Sequence, residues 1–373
     1  MRTELKTAIA MGAIVVGAVA VLSAYFTSLE EQIIPEGDVQ TQTTQENSVL
    51  PDIGKSRFKK APELQGISGY INTNSEELQE QIKGKIVLYD IWTYSCINCQ
   101  RTLPYIVAWN DKYADQGLVT VGIHSPEFEF EKDINNVELA VEKFGITYPV
   151  ILDNDKTVWD AFENHYWPRK YIADDEGYIR YDHIGEGAYD ETEKIIQELL
   201  AERALRLGQN MAADQSLVDI EEFKHGARTP ELYFGYDFAF GRNQLGNKEG
   251  FQPEKTVTYT IPEDLKPNFF YLDGTWRNLG DRMVLTSESG TIILPYFAKQ
   301  VNIVSAGNSE LEIFLDGKPI SVSDAGSDVN EDGKVMTSES TLYNLVNTKE
   351  SSSHVIQINI NRPGFEIYTF TFG

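Results

Sequence analysis

Lys85-Ile-Val-Leu-Tyr-Asp-Ile-Trp92 is an apolar run that leads straight into Thr93-Tyr-Ser-Cys96-Ile-Asn-Cys99. Such a run, bounded by a turn, reads as a strand buried on both faces. The two cysteines come next, at the start of a predicted helix, Cys96 to Asp115. Few folds accept a buried strand joined to a helix through a sulfur pair. These are also the chain's only two cysteines in 373 residues. Two intervening residues bring the second Cα within about 6 Å of the first, the upper range for a disulfide. The unpaired N–H groups of the helix start favour a thiolate on Cys96, drawing its pKa from about 8.5 toward 7 or below. The pattern therefore points to electron transfer through a Cys96–Cys99 dithiol.

Three other readings compete. Zinc needs more ligands, and none of His124, His165, His183, His225 and His354 forms a closely spaced pair. No metal is expected. A structural disulfide closing so short a loop stabilises little. Two inert core thiols would have no reason to share this spacing.

The N-terminus carries Arg2 and Lys6, then nineteen uncharged residues from Thr7 to Tyr25, then Glu30, Glu31, Glu36 and Asp38. At 1.5 Å per residue such a helix spans about 28 Å, close to a bilayer's hydrocarbon core. The charge asymmetry places the rest of the chain outside the membrane. Residues 1–26 are thus expected to be a single-pass anchor; a cleaved signal ending near Ala18-Val-Ala20 is the rival. Either way the expected location is extracytoplasmic. Residues 27–56 read as a flexible linker, because Gln40-Thr-Gln-Thr-Thr-Gln-Glu-Asn-Ser48 has too little to bury. The net charge of −25 argues against nucleic acid as a partner.

From residue 57 to 207, strand and helix patterns alternate, which implies an α/β unit with a largely parallel sheet. Ser75 is the expected cap of its first helix. From 208 to 373 the pattern changes to period two, as in Thr256–Ile261, Thr291–Leu294, Val301–Val304, Leu311–Leu315 and Val355–Ile360. Asp-Gly and Ser-Gly turns separate these runs. An antiparallel β-sandwich, jelly-roll-like, is expected. Asp328-Val-Asn-Glu-Asp-Gly333 with Glu339 fits the spacing of a calcium loop, but its flanks read as strands and a hairpin turn is the simpler account.

Further residues carry a resemblance. Asp90 lies six before Cys96, Trp92 four before it, Pro104 five after Cys99, and Trp167-Pro168 precedes a predicted strand. Together these resemble a thioredoxin-fold domain of the redoxin type. A longer string, Trp92–Cys99, His124-Ser-Pro-Glu-Phe128, Trp167-Pro168, Gly185-Glu-Gly187, Thr229-Pro-Glu231, Tyr233-Phe-Gly-Tyr236 and Leu315-Asp-Gly-Lys-Pro319, resembles the soluble part of DipZ-type thiol:disulfide interchange proteins. In those proteins a CcdA-type membrane electron carrier is fused to a thioredoxin-like domain and a carbohydrate-binding-module-like sandwich. This chain has one hydrophobic segment instead of a carrier, so the resemblance implies a separate electron donor.

The expected activity is thiol–disulfide oxidoreduction on protein thiols and disulfides, with no cofactor beyond the redox-active Cys96–Cys99 pair. Cys96 is the expected attacker and Cys99 the resolving thiol. Asp90, flanked by apolar residues, is expected to have a raised pKa and to take the Cys99 proton. The resemblance implies a cis bond at Pro168, with Trp167 facing an extended substrate. Trp92 is expected beneath the site and Tyr94 at its rim. His124 and Glu127 are further candidates. Thr93, three before Cys96, leaves a thiol peroxidase open. Trp276, Tyr271, Tyr233, Tyr236 and Phe297 leave a glycan- or partner-binding sandwich open, although aromatic residues in a sandwich are more often core.

Overall fold

The computed structural model describes residues 55–209, 216–239, 241–242 and 244–373. The anchor expected at 1–26, and all but the end of the 27–56 linker, lie outside them. Among the described residues no helix is long and apolar enough to cross a membrane.

The first domain contains strands β1 (Gly69–Ile71), β2 (Ile86–Trp92), β3 (Leu118–His124), β4 (Val150–Leu152), β5 (Arg169–Ala173) and β6 (Ile179–Ile184). Helices α1 (Ser75–Ile82), α2 (Ile97–Tyr113), α3 (Ile134–Lys143), α4 (Thr157–Ala161) and α5 (Tyr189–Arg206) are interleaved. The sheet order is β1-β4-β3-β2-β5-β6. Strands β2, β3 and β4 run parallel, while β1, β5 and β6 pair antiparallel. All seven residues of β2 are buried, as a central strand covered on both faces requires. Ile86, Leu88 and Trp92 pack with Leu103, Ile106 and Trp109 of α2 on one face. Val87, Tyr89 and Ile91 pack with Leu78, Val158 and Phe162 on the other. This is a thioredoxin-type sheet with its switch from parallel to antiparallel pairing beside β2.

The cap of α1 is Asn74, not Ser75. Asn74 is extended, and its side chain accepts from the N–H groups of Glu76 and Glu77 at 3.1 and 3.0 Å. Both residue types cap well, so composition alone does not separate them.

The second domain is all β: β7 (Leu232–Tyr233), β8 (Thr256–Tyr259), β9 (Tyr271–Asn278), β10 (Met283–Leu285), β11 (Gly290–Ala306), β12 (Ser309–Leu315), β13 (Lys318–Pro319), β14 (Lys334–Thr337), β15 (Thr341–Ile360) and β16 (Glu366–Phe372). Every pairing between these strands is antiparallel. The predicted runs 291–294 and 301–304 fuse into one strand, β11, across register shifts near Ala298–Gln300 and Val301–Asn302. Burial alternates along the first half of β11 and becomes continuous from Val301 to Ala306. The second half is covered on both faces: Val301 and Ile303 face the domain's own core, while Val304 and Ala306 join a cluster with Phe128 and Phe130 of the first domain.

The segment with calcium-loop spacing is a turn. The Asn330 side chain accepts from the N–H groups of Asp332 and Lys334, both at 3.0 Å, and Asp328 accepts from Asn344 N–H at 2.7 Å. Tyr271 and Trp276 are buried, as core residues are.

Candidate active site

Strand β2 ends at Trp92, and the chain turns through Thr93-Tyr94-Ser95 into α2. Cys96 is the N-cap of that helix. Its backbone is extended (φ −76°, ψ 118°) and its Sγ accepts the Cys99 N–H at 3.4 Å. Sulfur thus occupies the place where a hydroxyl or carboxylate usually caps a helix, and the helix dipole favours negative charge there. Both cysteines are free thiols. Cys96 is half-buried and Cys99 fully buried. Burial, together with Cys96, pushes the Cys99 thiol well above its ordinary value. One sulfur is half-open at the helix start; the other is enclosed and holds its proton.

Asp90 lies two residues back along β2 and is 1% exposed. Burial pushes its pKa to about 7, and Lys170 draws it partly back. Its Oδ1 has no hydrogen-bond partner. The same carboxyl also contributes to the raised pKa of Cys99. Lys170 faces it in the antiparallel register of β2 and β5. Burial lowers Lys170 to about 8, opposed by Asp90, Cys99 and Glu186. Its Nζ donates to Gly185 O at 3.1 Å. Nothing in the local sequence marks Lys170 as part of the site.

Trp92 is fully buried and meets His124 edge-on, with ring centroids 5.2 Å apart. Tyr94 stacks on the same imidazole at 5.7 Å. Thr93 Oγ1 lies 3.3 Å from His124 Nε2. Burial pulls His124 down to about 3, so the ring is neutral and serves as packing. The Trp167–Pro168 bond is cis. Trp167 Nε1 donates to Ser125 O at 2.9 Å, and Ser125 N–H donates to Trp92 O at 3.0 Å. These bonds tie the Pro168 loop to the end of β2.

Glu127 goes elsewhere. Its carboxyl accepts from Tyr233 of the second domain at 2.8 Å. The residue that secures the loop before Cys96 is Glu131, which sequence reasoning missed. It accepts from Ser95 Oγ at 2.6 Å and from the N–H groups of Glu127 and Phe128 at 2.6 and 2.9 Å. A buried glutamate inside an acidic surface-like run gives no local signal of its role. Tyr94 reaches the second domain as well, donating to Ser340 O at 2.9 Å.

Asp90, Trp92, Tyr94, Cys96, Cys99 and His124 therefore form one connected group, and Trp167–Pro168 joins it through Ser125. A helix-capping thiol, an enclosed second thiol and a buried carboxyl thus stand together on a thioredoxin fold. The AhpC/TSA family model matches residues 59–182, and the "Thioredoxin like C-terminal domain" model matches 229–373. Protein DipZ of Mycobacterium tuberculosis is 32% identical over 352 residues, covering 93% of this chain and 48% of that protein. The chain thus spans about half the length of the DipZ proteins it matches. The thiol-disulfide oxidoreductase YkuV of Bacillus subtilis is 34% identical over 142 residues, which is 38% of this chain and 94% of that protein. The solution structure of an oxidized thioredoxin-like protein is 32% identical, covering 39% of this chain and 97% of its own, with a TM-score of 0.36. The chain belongs to the thioredoxin-fold redoxin family of thiol–disulfide oxidoreductases and is a homologue of DipZ.

Proposed function

We propose that this enzyme reduces protein disulfides, with Cys96 as attacking thiol and Cys99 as resolving thiol. The observation that carries this is the asymmetry of the two sulfurs: Cys96 caps α2 and is half-open, while Cys99 is enclosed. The Cys96 thiolate attacks one sulfur of the substrate disulfide. That S–S bond breaks, a Cys96–substrate disulfide forms, and the departing thiolate takes a proton. Cys99 gives its proton to the Asp90 carboxylate and attacks Cys96 Sγ. The second substrate thiol leaves, and the enzyme holds a Cys96–Cys99 disulfide. Two electrons have passed to the substrate, so a separate dithiol donor must restore the enzyme. No other cofactor is needed.

The test is a trapping experiment. Cys99→Ser should accumulate a mixed disulfide through Cys96, and Cys96→Ser should neither trap nor turn over. Trapping through position 99 would reverse the roles. The direction rests on the potential of the couple: about −270 mV fits a reductase and about −120 mV an oxidase.

The wider setting is also a proposal. Residues 1–26 anchor the chain in the membrane with both domains outside the cytoplasm, supported by the apolar run and its basic flank. The donor is then a membrane carrier of CcdA type. The all-β domain is read as a sandwich. The AhpC/TSA match favours one rival, a thiol peroxidase. The Thr93 hydroxyl is engaged by His124 Nε2 at 3.3 Å, which speaks against it, and peroxide consumption by the reduced protein would decide.

A further inference from the structure

We propose that the all-β domain is a wall of the redox site and selects which disulfides reach Cys96. It admits disulfides of small molecules and of extended segments and turns away those set flush in a folded surface. This rests on the thiol–disulfide exchange proposed above.

The contacts sit where a substrate would approach. Ile97 and Arg101 are four apart on α2 and so share one face of its first turns. Ile97 packs against the cluster containing Val304 and Ala306 of β11, Leu342 of β15 and Tyr368 of β16. Arg101 Nη2 donates to Gln300 Oε1 of β11 at 2.9 Å. Residues 300–306 therefore run alongside the start of the helix that Cys96 caps. Their loss of inside–outside alternation has the same cause, because one face meets the second domain's core and the other meets the first domain.

The wall continues past the sulfur. Tyr94, two residues before Cys96, is fixed to Ser340 O at 2.9 Å. Phe130 packs on both Tyr94 and Tyr368, with centroids 6.0 and 4.8 Å apart. Val304 and Leu342 are 1% and 8% exposed, so this barrier is built on packed strands and is not a hinged lid. On the other side, Trp167 packs on Trp159 and Lys156 and bonds to Ser125, all of the first domain. That side offers the backbone beside Pro168 to an incoming strand.

Thiolate attack needs an in-line approach of three sulfurs. A disulfide in a convex surface brings its neighbours with it, and on the Ile97 side they meet β11 and the Ser340 turn. An extended segment fits between the wall and Trp167.

The test compares kcat/KM of the full chain on three oxidants: hydroxyethyl disulfide, a disulfide in an extended peptide, and a surface disulfide of a folded protein. The wild type should prefer the peptide to the folded protein by at least about tenfold. Leu342→Ala, which lowers the wall, should narrow that ratio by about fivefold or more. Ser340→Trp adds bulk at a half-exposed turn while keeping the backbone carbonyl, and it should widen the ratio. Both variants should leave hydroxyethyl disulfide within about twofold. The Trp variant keeps the test alive if Leu342→Ala does not fold. Equal wild-type rates on peptide and folded protein, or parallel changes on all three oxidants, would overturn the proposal. No reaction with hydroxyethyl disulfide would sink the exchange reading itself, and the wall with it.

Discussion

The two domains bury different chemistry. In the first, Asp90, His124, Glu131, Asp153, Lys170, Asp174 and Glu193 are all buried. Among the described residues of the second, the buried polar side chains are uncharged, such as Gln244, Asn247, Asn278, Asn302 and Thr369. Burying an ionisable group costs free energy unless it is paired or neutralised. The first domain accepts that cost at Asp90 and Lys170, whose charges act on Cys99, and offsets it elsewhere by pairing, as in Asp174 with Arg180 and Glu193 with Lys112. The second keeps an apolar core and contributes shape. Its effect on the chemistry should come through the residues it touches, not through groups it titrates.

The largest effect expected from this contrast is Trp276→Ala. Trp276 is fully buried in the second core, and its truncation should cost about 3–5 kcal/mol. Denaturant unfolding would measure this. The pH dependence of Cys96 alkylation should be unchanged at temperatures where the variant is folded. A shifted profile would mean that the second core does reach the thiol, and the division between the domains would fail.

Two pH dependences of opposite sign should appear in the first domain. Asp90 rises from 3.8 to about 7 on folding through burial. Its protonated form is favoured in the native state, so it costs nothing below pH 4. The cost grows as pH rises through 7, toward about 4 kcal/mol. His124 falls from 6.5 to about 3. Its neutral form is favoured, so it costs nothing above pH 7, and stability falls as pH drops from 6.5 toward 3, by about 5 kcal/mol. Between pH 4 and 6.5 the two slopes oppose each other. Asp90→Asn should therefore stabilise the protein at pH 8 by about 2–4 kcal/mol, give little at pH 4, and expose the acid-side slope of His124. It should also slow release of the mixed disulfide formed by Cys96. A gain that is the same at pH 5 and pH 8 would show that the carboxyl titrates normally.

How much of this could be read from the chain depends on sequence distance. The junction of β2, Cys96 and α2 is local, so an apolar run and a cysteine spacing reveal it. The antiparallel strands of the second domain show wherever one face is wet; β11 loses its alternation after Gln300, because both faces are then covered. Lys170 looks like a surface lysine in Arg169-Lys-Tyr-Ile-Ala173. Only the pairing of β5 with β2 places it opposite Asp90. Tyr94 and Ser340 are 246 residues apart, and Glu127 and Tyr233 are 106 apart. Nothing periodic announces such pairs. Glu127 stands out in the sequence through its motif, but its partner lies in the other domain.

That pair is where the contrast between the domains is weakest, and it supports the smallest prediction. The Tyr233 hydroxyl lies 2.8 Å from Glu127 Oε1 and 3.1 Å from Glu231 Oε2. A phenol has one proton, so the two carboxylates compete for a single donor. Burial meanwhile favours the neutral form of both carboxyls. Glu127 is half-buried as a residue, but its carboxyl is enclosed. Burial pushes it up to about 8, with Glu231 and Glu131 adding to the rise and Tyr233 and Lys156 opposing it. Burial raises Glu231 as well, opposed by Tyr233 and Arg242. Glu231→Gln removes one charge and offers an amide N–H to the phenol oxygen. Tyr233 can then serve Glu127 alone, and the Glu127 pKa should move down. Carbon-13 NMR of the Glu127 carboxyl would follow it. An ordinary glutamate titration in the wild type, or one unmoved by the substitution, would mean that no proton is shared across the domains. The second domain would then act on the first by shape alone.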